Sequence, residues 1–374
     1  MKLFKLLFIL IVVSLSIISV FKREQIINII KTRIGKEEKV KWKPTDEYIK
    51  NLNSYKPKLF LDQEYGKWVN EKDKQFRLVK ELEIGAEDDE NYRFFLPLDI
   101  EVDEFGDLYL LDSGHQRIQI FDQDGNFLRT IDKNKGFPPV AVDMSINTDG
   151  IIAVAEKQKK GIYLFRDSGA FLESFSLSYD PFKVKALNDE FLVIGIGKYF
   201  LIHRYSEDGE RISAFCPLLQ RNESESIVRI FNEASFDSDY RGSIYLSYEY
   251  PYKIIKFNNE NIPVLAFSRR LPDDIPPPII DDATQGKEFT AKKRTISMEI
   301  KISQDGNIYN LIRGTETTRG NRIDKFDSEG NYLQTFYLSL PVDDFAISGT
   351  DYIWCLLGRP ENKIIKYKIE KITP

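Results

Sequence analysis

From residue 76 onward, apolar and polar residues alternate in short runs broken by turn residues. This period of two is the pattern of half-buried β-strands. The clearest stretch reads Leu96-Pro-Leu-Asp-Ile-Glu-Val-Asp103, then Asp107-Leu-Tyr-Leu-Leu-Asp112, then Arg117-Ile-Gln-Ile-Phe121. It predicts three strands. Asp124-Gly125 then predicts a tight hairpin into a fourth, Phe127–Ile131. The third strand recurs six times, each copy ending in an aromatic: Phe121, Phe165, Tyr205, Phe257, Phe326 and Tyr367. The spacing runs from 40 to 69 residues. Four-stranded units at such a period predict the blades of a β-propeller.

The sixth copy lacks room for a fourth strand. The stretch Phe76-Arg-Leu-Val-Lys-Glu-Leu-Glu-Ile84 precedes the first full unit and has no partner of its own. It is expected to complete the last blade, which would remove the exposed edges of an open array. The fold class expected is therefore all-β, a six-bladed propeller over residues 76–374.

Residues 1–21 differ from the rest. Lys2 and Lys5 precede an uncharged run, Leu6–Phe21, without a clear small-residue cleavage site. This predicts a signal anchor in preference to a cleaved signal peptide, and an extracytoplasmic propeller, periplasmic or on the cell surface. Residues 22–75 are charged and read as a stalk plus a packing segment, with a short helical pattern at 45–52.

Composition narrows the function. Aromatics make up 13% of the chain, which favours strands. The formal charge of −5 carries no basic stripe of the kind nucleic-acid binders show. Cys216 and Cys355 have no metal-type spacing and are expected to be buried free thiols.

The residues Asp112-Ser-Gly-His-Gln-Arg-Ile-Gln-Ile-Phe-Asp-Gln-Asp-Gly-Asn-Phe-Leu128 resemble the NHL repeat, with Asn321-Arg-Ile-Asp-Lys-Phe326 a partial second match. That repeat often has Asn where this chain has His115. The resemblance implies a six-bladed propeller and leaves function open, because propellers host both binding modules and enzymes. Hydroxyglycine lyases of that family hold zinc with several histidines. This chain has two, His115 and His203. Asp112, Ser113 and His115 share one short loop and do not predict a catalytic triad.

Two groups of residues are candidates for a site. Aligned on their apolar positions, the six inner strands begin with Asp99, Asp143, Lys183, Glu233, Glu299 and Asp344. By pseudo-symmetry these should ring one mouth of the channel. The five carboxylates are candidate ligands for Ca²⁺ or another divalent cation, and gluconolactonase-like propellers offer an analogy for a channel metal. The other readings are a hydrated channel lining partly neutralised by Lys183, or a pocket for a cationic ligand. The second group lies on loops between second and third strands: His115, Arg117, Lys198, Tyr199, Tyr250, Arg313, Arg319, Arg322 and Arg359. This basic, tyrosine-bearing rim suits a protein, peptide or glycan ligand. The long connection 268–296, with its Pro276-Pro-Pro278 run, reads as a stiff decoration or a lid. Together these features predict a membrane-anchored, non-catalytic binding propeller. The alternative is a metal-dependent hydrolase or lactonase acting at the acidic mouth.

Overall fold

In the computed structural model the described residues are 76–269, 296–313 and 320–372, except 87, with strand backbone also at 39–40, 59–63, 279–281 and 290–292. The six repeats are six antiparallel sheets, each running outward in chain order from an inner strand. The inner strands are Pro97–Val102, Ala141–Ile146, Pro181–Ala186, Ala234–Ser238, Ser297–Ile302 and Asp344–Ser348. We number the blades 1 to 6 in that order.

The second strand of each blade has neighbouring sheets on both faces, so it loses the alternating pattern. Leu108–Asp112 is buried at every position, as expected of strands packed on both sides. Six hydrophobic clusters fill the six blade junctions. The cluster between blades 6 and 1 is built like the others, with Trp354, Leu356 and Ile364 against Ile100, Leu110 and Phe121. The ring therefore closes without a weak seam. Cys216 and Cys355 are free and buried, in blades 3 and 6.

Closure depends on Phe76–Ile84, which pairs antiparallel with Lys363–Lys371 as the outer strand of blade 6. Gly125, at φ +83° in the first blade's hairpin, lies against this strand. A Cβ there would sit 2.8 Å from Leu82, so the turn and the closing strand fit only with glycine.

Two departures from the repeat were not expected. An α-helix, α1 (Glu225–Asn232), sits in the connection between blades 3 and 4. The buried Asn232 side chain ties it down, accepting from Leu219 N at 2.9 Å and donating to Leu219 O at 2.8 Å. In addition, Lys39–Val40 and Leu59–Gln63 run parallel to the outer strands of blades 3 and 4. They cover exposed sheet edges with the chain's own backbone. The expected anchor (1–21), the helical pattern at 45–52 and the proline run at 276–278 lie outside the described residues. Among the described residues no helix is long and apolar enough to cross a membrane.

Blades 4 and 5 share a buried ion pair. Arg269, ending the outer strand of blade 4, grips Asp324 of blade 5 through two contacts of 2.7 Å. Tyr252 and Thr335 donate to the same carboxylate, and the Arg269 guanidinium lies 4.7 Å from the Tyr332 ring centroid. Removing one partner of such a pair leaves an uncompensated buried charge, which costs far more than the net contribution of the pair. Asp324→Ala is expected to lower stability by about 3–5 kcal/mol. The apolar double substitution Arg269→Met with Asp324→Leu should lose much less. Urea denaturation compares them, and equal losses would mean that the buried charge is not what the site must satisfy.

Candidate functional site

Each inner strand has one edge paired within its blade and one edge facing the channel. The N–H groups on that free edge need acceptors. Carboxylates of the preceding blade supply them. Asp344 accepts from Ile100 N at 3.0 Å, Asp99 from Met144 N at 2.8 Å, and Asp143 from Val184 N at 2.6 Å. Asp237 accepts from Ile302 N at 2.7 Å, the same step taken two residues deeper. These bonds stitch blade 6 to 1, 1 to 2, 2 to 3 and 4 to 5.

Three lysines lie among these acids. Lys183 contacts Asp143 at 2.9 Å and Glu299 at 2.5 Å, Lys185 contacts Asp237 at 2.6 Å, and Lys301 contacts Glu101 at 3.0 Å. Lys183 joins blade 3 to blade 5, and Lys301 joins blade 5 to blade 1. Burial alone would lower the pKa of Lys183. The facing carboxyls Asp143, Glu299, Asp99 and Asp344 overcome this and hold it well above the ordinary lysine value. Lys301 is held up in the same way, chiefly by Glu101 and Glu299.

The acids divide into two kinds. Burial, relieved in part by Lys183, pushes Asp143 well above the usual carboxyl range. Burial and the charges of Asp99 and Glu299 do the same to Asp344. Asp99 ends below its usual value: burial raises it, but Lys183, a hydrogen bond shared with Asp344, and Lys301 outweigh that. Asp99 and Asp344 thus shift in opposite directions, as two carboxyls that titrate together in one site do.

Glu233 does not belong to this ring. It follows α1 as its C-cap residue and pairs with Arg229 at 3.5 Å. The ring position in blade 4 is Ser235, opposite Ser247 on the second strand. The displacement is two residues. Period-two alternation cannot detect it, because a shift of two keeps every side chain on its own face. The ring is four carboxyls, one lysine and one serine.

These residues do not fit a divalent metal. Asp99, Asp143 and Asp344 are each engaged by a backbone N–H group of the next blade, and the ammonium of Lys183 sits between Asp143 and Glu299. Among the described residues no group of three or more His, Cys, Asp and Glu is arranged to hold a metal ion.

The rim residues fall into distinct environments. Asp112 is fully buried and organises the loop above blade 1. It accepts from Phe95 N at 2.8 Å and from Arg117 Nε at 2.9 Å, and pairs with His115 Nδ1 at 2.7 Å. Arg117 also donates to the carbonyls of Glu90 and Arg93. It is therefore an internal tie and not a free surface cation. Arg322 is likewise buried. Arg359 is exposed, with its guanidinium 4.6 Å from the Phe95 ring centroid, and the His115 ring lies 5.7 Å from the same centroid. Lys198 is exposed beside Tyr199, and Tyr250 packs edge-on to Phe231. Burial lowers the Arg313 pKa. Arg319 lies outside the described residues.

Sequence reasoning missed the apolar part of this face. Phe95, Leu96 and Leu98 are 41%, 40% and 43% exposed beside the channel mouth. Leu96 has φ +51°, a left-handed conformation that disfavours leucine. Arg93 separates two cavities next to this segment. One, of about 540 Å³, is bordered by His115, Arg117 and Lys133; the other, of about 640 Å³, by Tyr92, Pro360 and Lys363. Four consecutive residues reading Phe-Leu-Pro-Leu could have flagged the patch, but in the sequence they looked like the start of a core strand. The second histidine is structural. His203 stacks on Tyr179 at 4.2 Å, and burial pushes its pKa down to about 3.

The fold is similar to that of a candidate exported protein of Bacteroides fragilis, with TM-score 0.55 and 12% identity over 84% of this chain and 100% of that one. A member of the DUF4221 family from Bacteroides vulgatus gives 0.55 and 11%, over 80% and 100%. A streptogramin B lyase gives 0.51 and 14%, over 79% and 98%. At these identities the likeness is one of fold. No protein-family model matches the chain, and no curated protein matches it by sequence.

The buried carboxyls make stability depend on pH. Asp143 and Asp344 hold protons in the folded state that the unfolded chain releases near the ordinary value of 3.8. Their contribution is complete below that value and declines as pH rises toward their raised folded values. Asp99, shifted down, works in the opposite sense and only below 3.8. Asp344→Asn imitates the protonated acid, since its amide can still accept from Ile100 N and donate to Asp99. Its unfolding free energy should therefore fall less steeply between about pH 5 and 8 than that of the wild type. The limit is one proton, about 1.4 kcal/mol per pH unit. Urea midpoints across that range measure both slopes, and identical slopes would refute the upward shift of Asp344.

Proposed function

We propose that this chain is an extracytoplasmic, membrane-tethered propeller that binds a protein partner through its channel-mouth face and catalyses no reaction there. One observation carries the reading: Phe95, Leu96 and Leu98 lie exposed in a row beside Arg93 and Arg359. An exposed leucine held in a left-handed conformation has no packing gain to offset its strain, and such strain collects at binding sites. An aromatic with arginines beside it is the composition of an interface centre. The ligand that complements it is a polypeptide segment with apolar and acidic side chains.

The channel supports this reading from the other direction. Its carboxyls are engaged by backbone N–H groups and lysines, and His203 is buried against Tyr179, which leaves the mouth and its loops as the surface for recognition. The tether rests on the apolar run Leu6–Phe21 with its preceding lysines, and the location agrees with the fold's occurrence in a candidate exported protein. A kinship to NHL-repeat propellers rests on the residues 112–128.

Phage display of random dodecapeptides on the full chain in nanodiscs tests the proposal. Acidic, apolar sequences should be enriched. Their binding should weaken at least about tenfold, or ~1.4 kcal/mol, in Phe95→Ser/Arg359→Glu. Sequences that bind this variant as well as the wild type would place the interface elsewhere. Enrichment of nothing, with saturable binding of a heparin hexasaccharide, would replace a protein partner by an anionic glycan.

A further inference from the structure

Lys183 is the one basic residue among the six ring positions. Its ammonium reaches from blade 3 to Asp143 of blade 2 at 2.9 Å and to Glu299 of blade 5 at 2.5 Å. Asp99 and Asp344, from blades 1 and 6, also face it. All four carboxyls are at most 3% exposed. Acids from four different blades thus surround this ammonium, two of them in direct contact with it.

Converging carboxylates are what a hard divalent cation requires. Four carboxyls buried this close can stay together only where protons or a cation offset their charges. An ammonium has three donors, in contrast to the six or more oxygens that a calcium ion gathers, so oxygen should be left over. Ser235 completes the ring position in blade 4, and its hydroxyl is buried without a hydrogen-bond partner. The hydroxyl of Ser145, one step deeper in blade 2, is in the same condition.

We propose that the Lys183 ammonium is the resident cation of this channel, and that it keeps a divalent metal out of a seat the surrounding carboxyls and Ser235 would otherwise form. The charge is covalently part of the chain. A chelator cannot remove it and another ion cannot exchange with it. The blades are held at this level whatever the metal supply outside the cell. Lys301, two residues deeper than the ring position of blade 5, pairs with Glu101, lies 4.0 Å from Glu299 and adds its charge to the field at Asp99 and Asp344 without contacting Asp143.

The test uses the full chain, with CaCl₂ and MgCl₂ as probes, read by calorimetry and thermal unfolding. The wild type should show no saturable binding and no response to EDTA. Lys183→Met keeps the length of the side chain and removes its charge, and should gain one saturable site. At a hundredfold excess of metal over its dissociation constant, the unfolding equilibrium should shift about 100-fold. Lys183→Met with Glu299→Gln removes a negative charge together with the positive one, and should fold without metal and bind it weakly. If Lys183→Met does not fold alone, recovery in millimolar CaCl₂ or MgCl₂ supports the proposal. Three results overturn it: a folded Lys183→Met indifferent to both metals, an unfolded one rescued by neither, or a wild-type site that disappears in Glu299→Gln.

Discussion

The free inner edges of the six blades are the constraint on which the rest of this structure depends. A strand at the centre of a propeller has a partner on one side only. Its other N–H groups face the channel, where no strand pairs with them. Here the acceptors are side chains of the neighbouring blade: Asp344, Asp99, Asp143 and Asp237 each take the N–H of the next inner strand. The solution introduces a second problem, because it concentrates buried carboxyls in one place. The lysines, and the upward shift of Asp143 and Asp344, answer that problem. Backbone satisfaction, charge balance and blade closure are thus one interlocked arrangement, and none of the three can be altered alone.

Most of the architecture was legible because propeller blades repeat. Six terminal aromatics, recurrent hairpin turns and one orphan strand are enough to count blades and close the ring. The acid ring was also legible, in four of five carboxylates. The fifth failed at Glu233, where α1 precedes blade 4 and moves its start. Alternation reports which face a residue is on, not how far along the strand it lies. The purpose of the acids was legible only as a set of alternatives, a lining partly neutralised by Lys183, a metal site or a pocket for a cationic ligand. A carboxylate that accepts a neighbouring blade's N–H and one that awaits a metal are the same letter in a sequence. The difference lies in the through-space position of Lys183, which comes from another blade. The Arg269–Asp324 pair was hidden for the same reason: its partners are 55 residues apart.

A channel filled by its own ion pairs moves the question of function to the rim. The rim is less uniformly basic than its loop composition implied. Arg117 and Arg322 are internal, and Arg117 shapes the loop that carries Phe95 by holding the carbonyls of Glu90 and Arg93. Asp112 holds the same loop through Phe95 N. The loop that presents the apolar segment is thus fixed from below by a buried acid and an arginine. A surface fixed in this way loses little freedom on binding, which favours recognition. The same ties account for the unusual exposure of Phe95: its backbone is anchored while its ring is left outward, near Arg359 and His115.

The opposite end of the propeller shows how far net charge can mislead. The turns there repeat one device. Asp103, Asp122, Asp239 and Asp327 each accept two backbone N–H groups of their own turn, two and four residues on. Asn147 and Asn258 do the same with an amide oxygen. An uncharged oxygen evidently serves, so the turn demands an acceptor at that position and not a negative charge. Much of the acidity at this end therefore follows from how the hairpins are made. It enters the formal charge of −5 without bearing on the mouth, which faces away from it. A mildly acidic chain and arginines at the mouth are compatible, because antiparallel meander topology puts the two sets of loops at opposite ends of every blade.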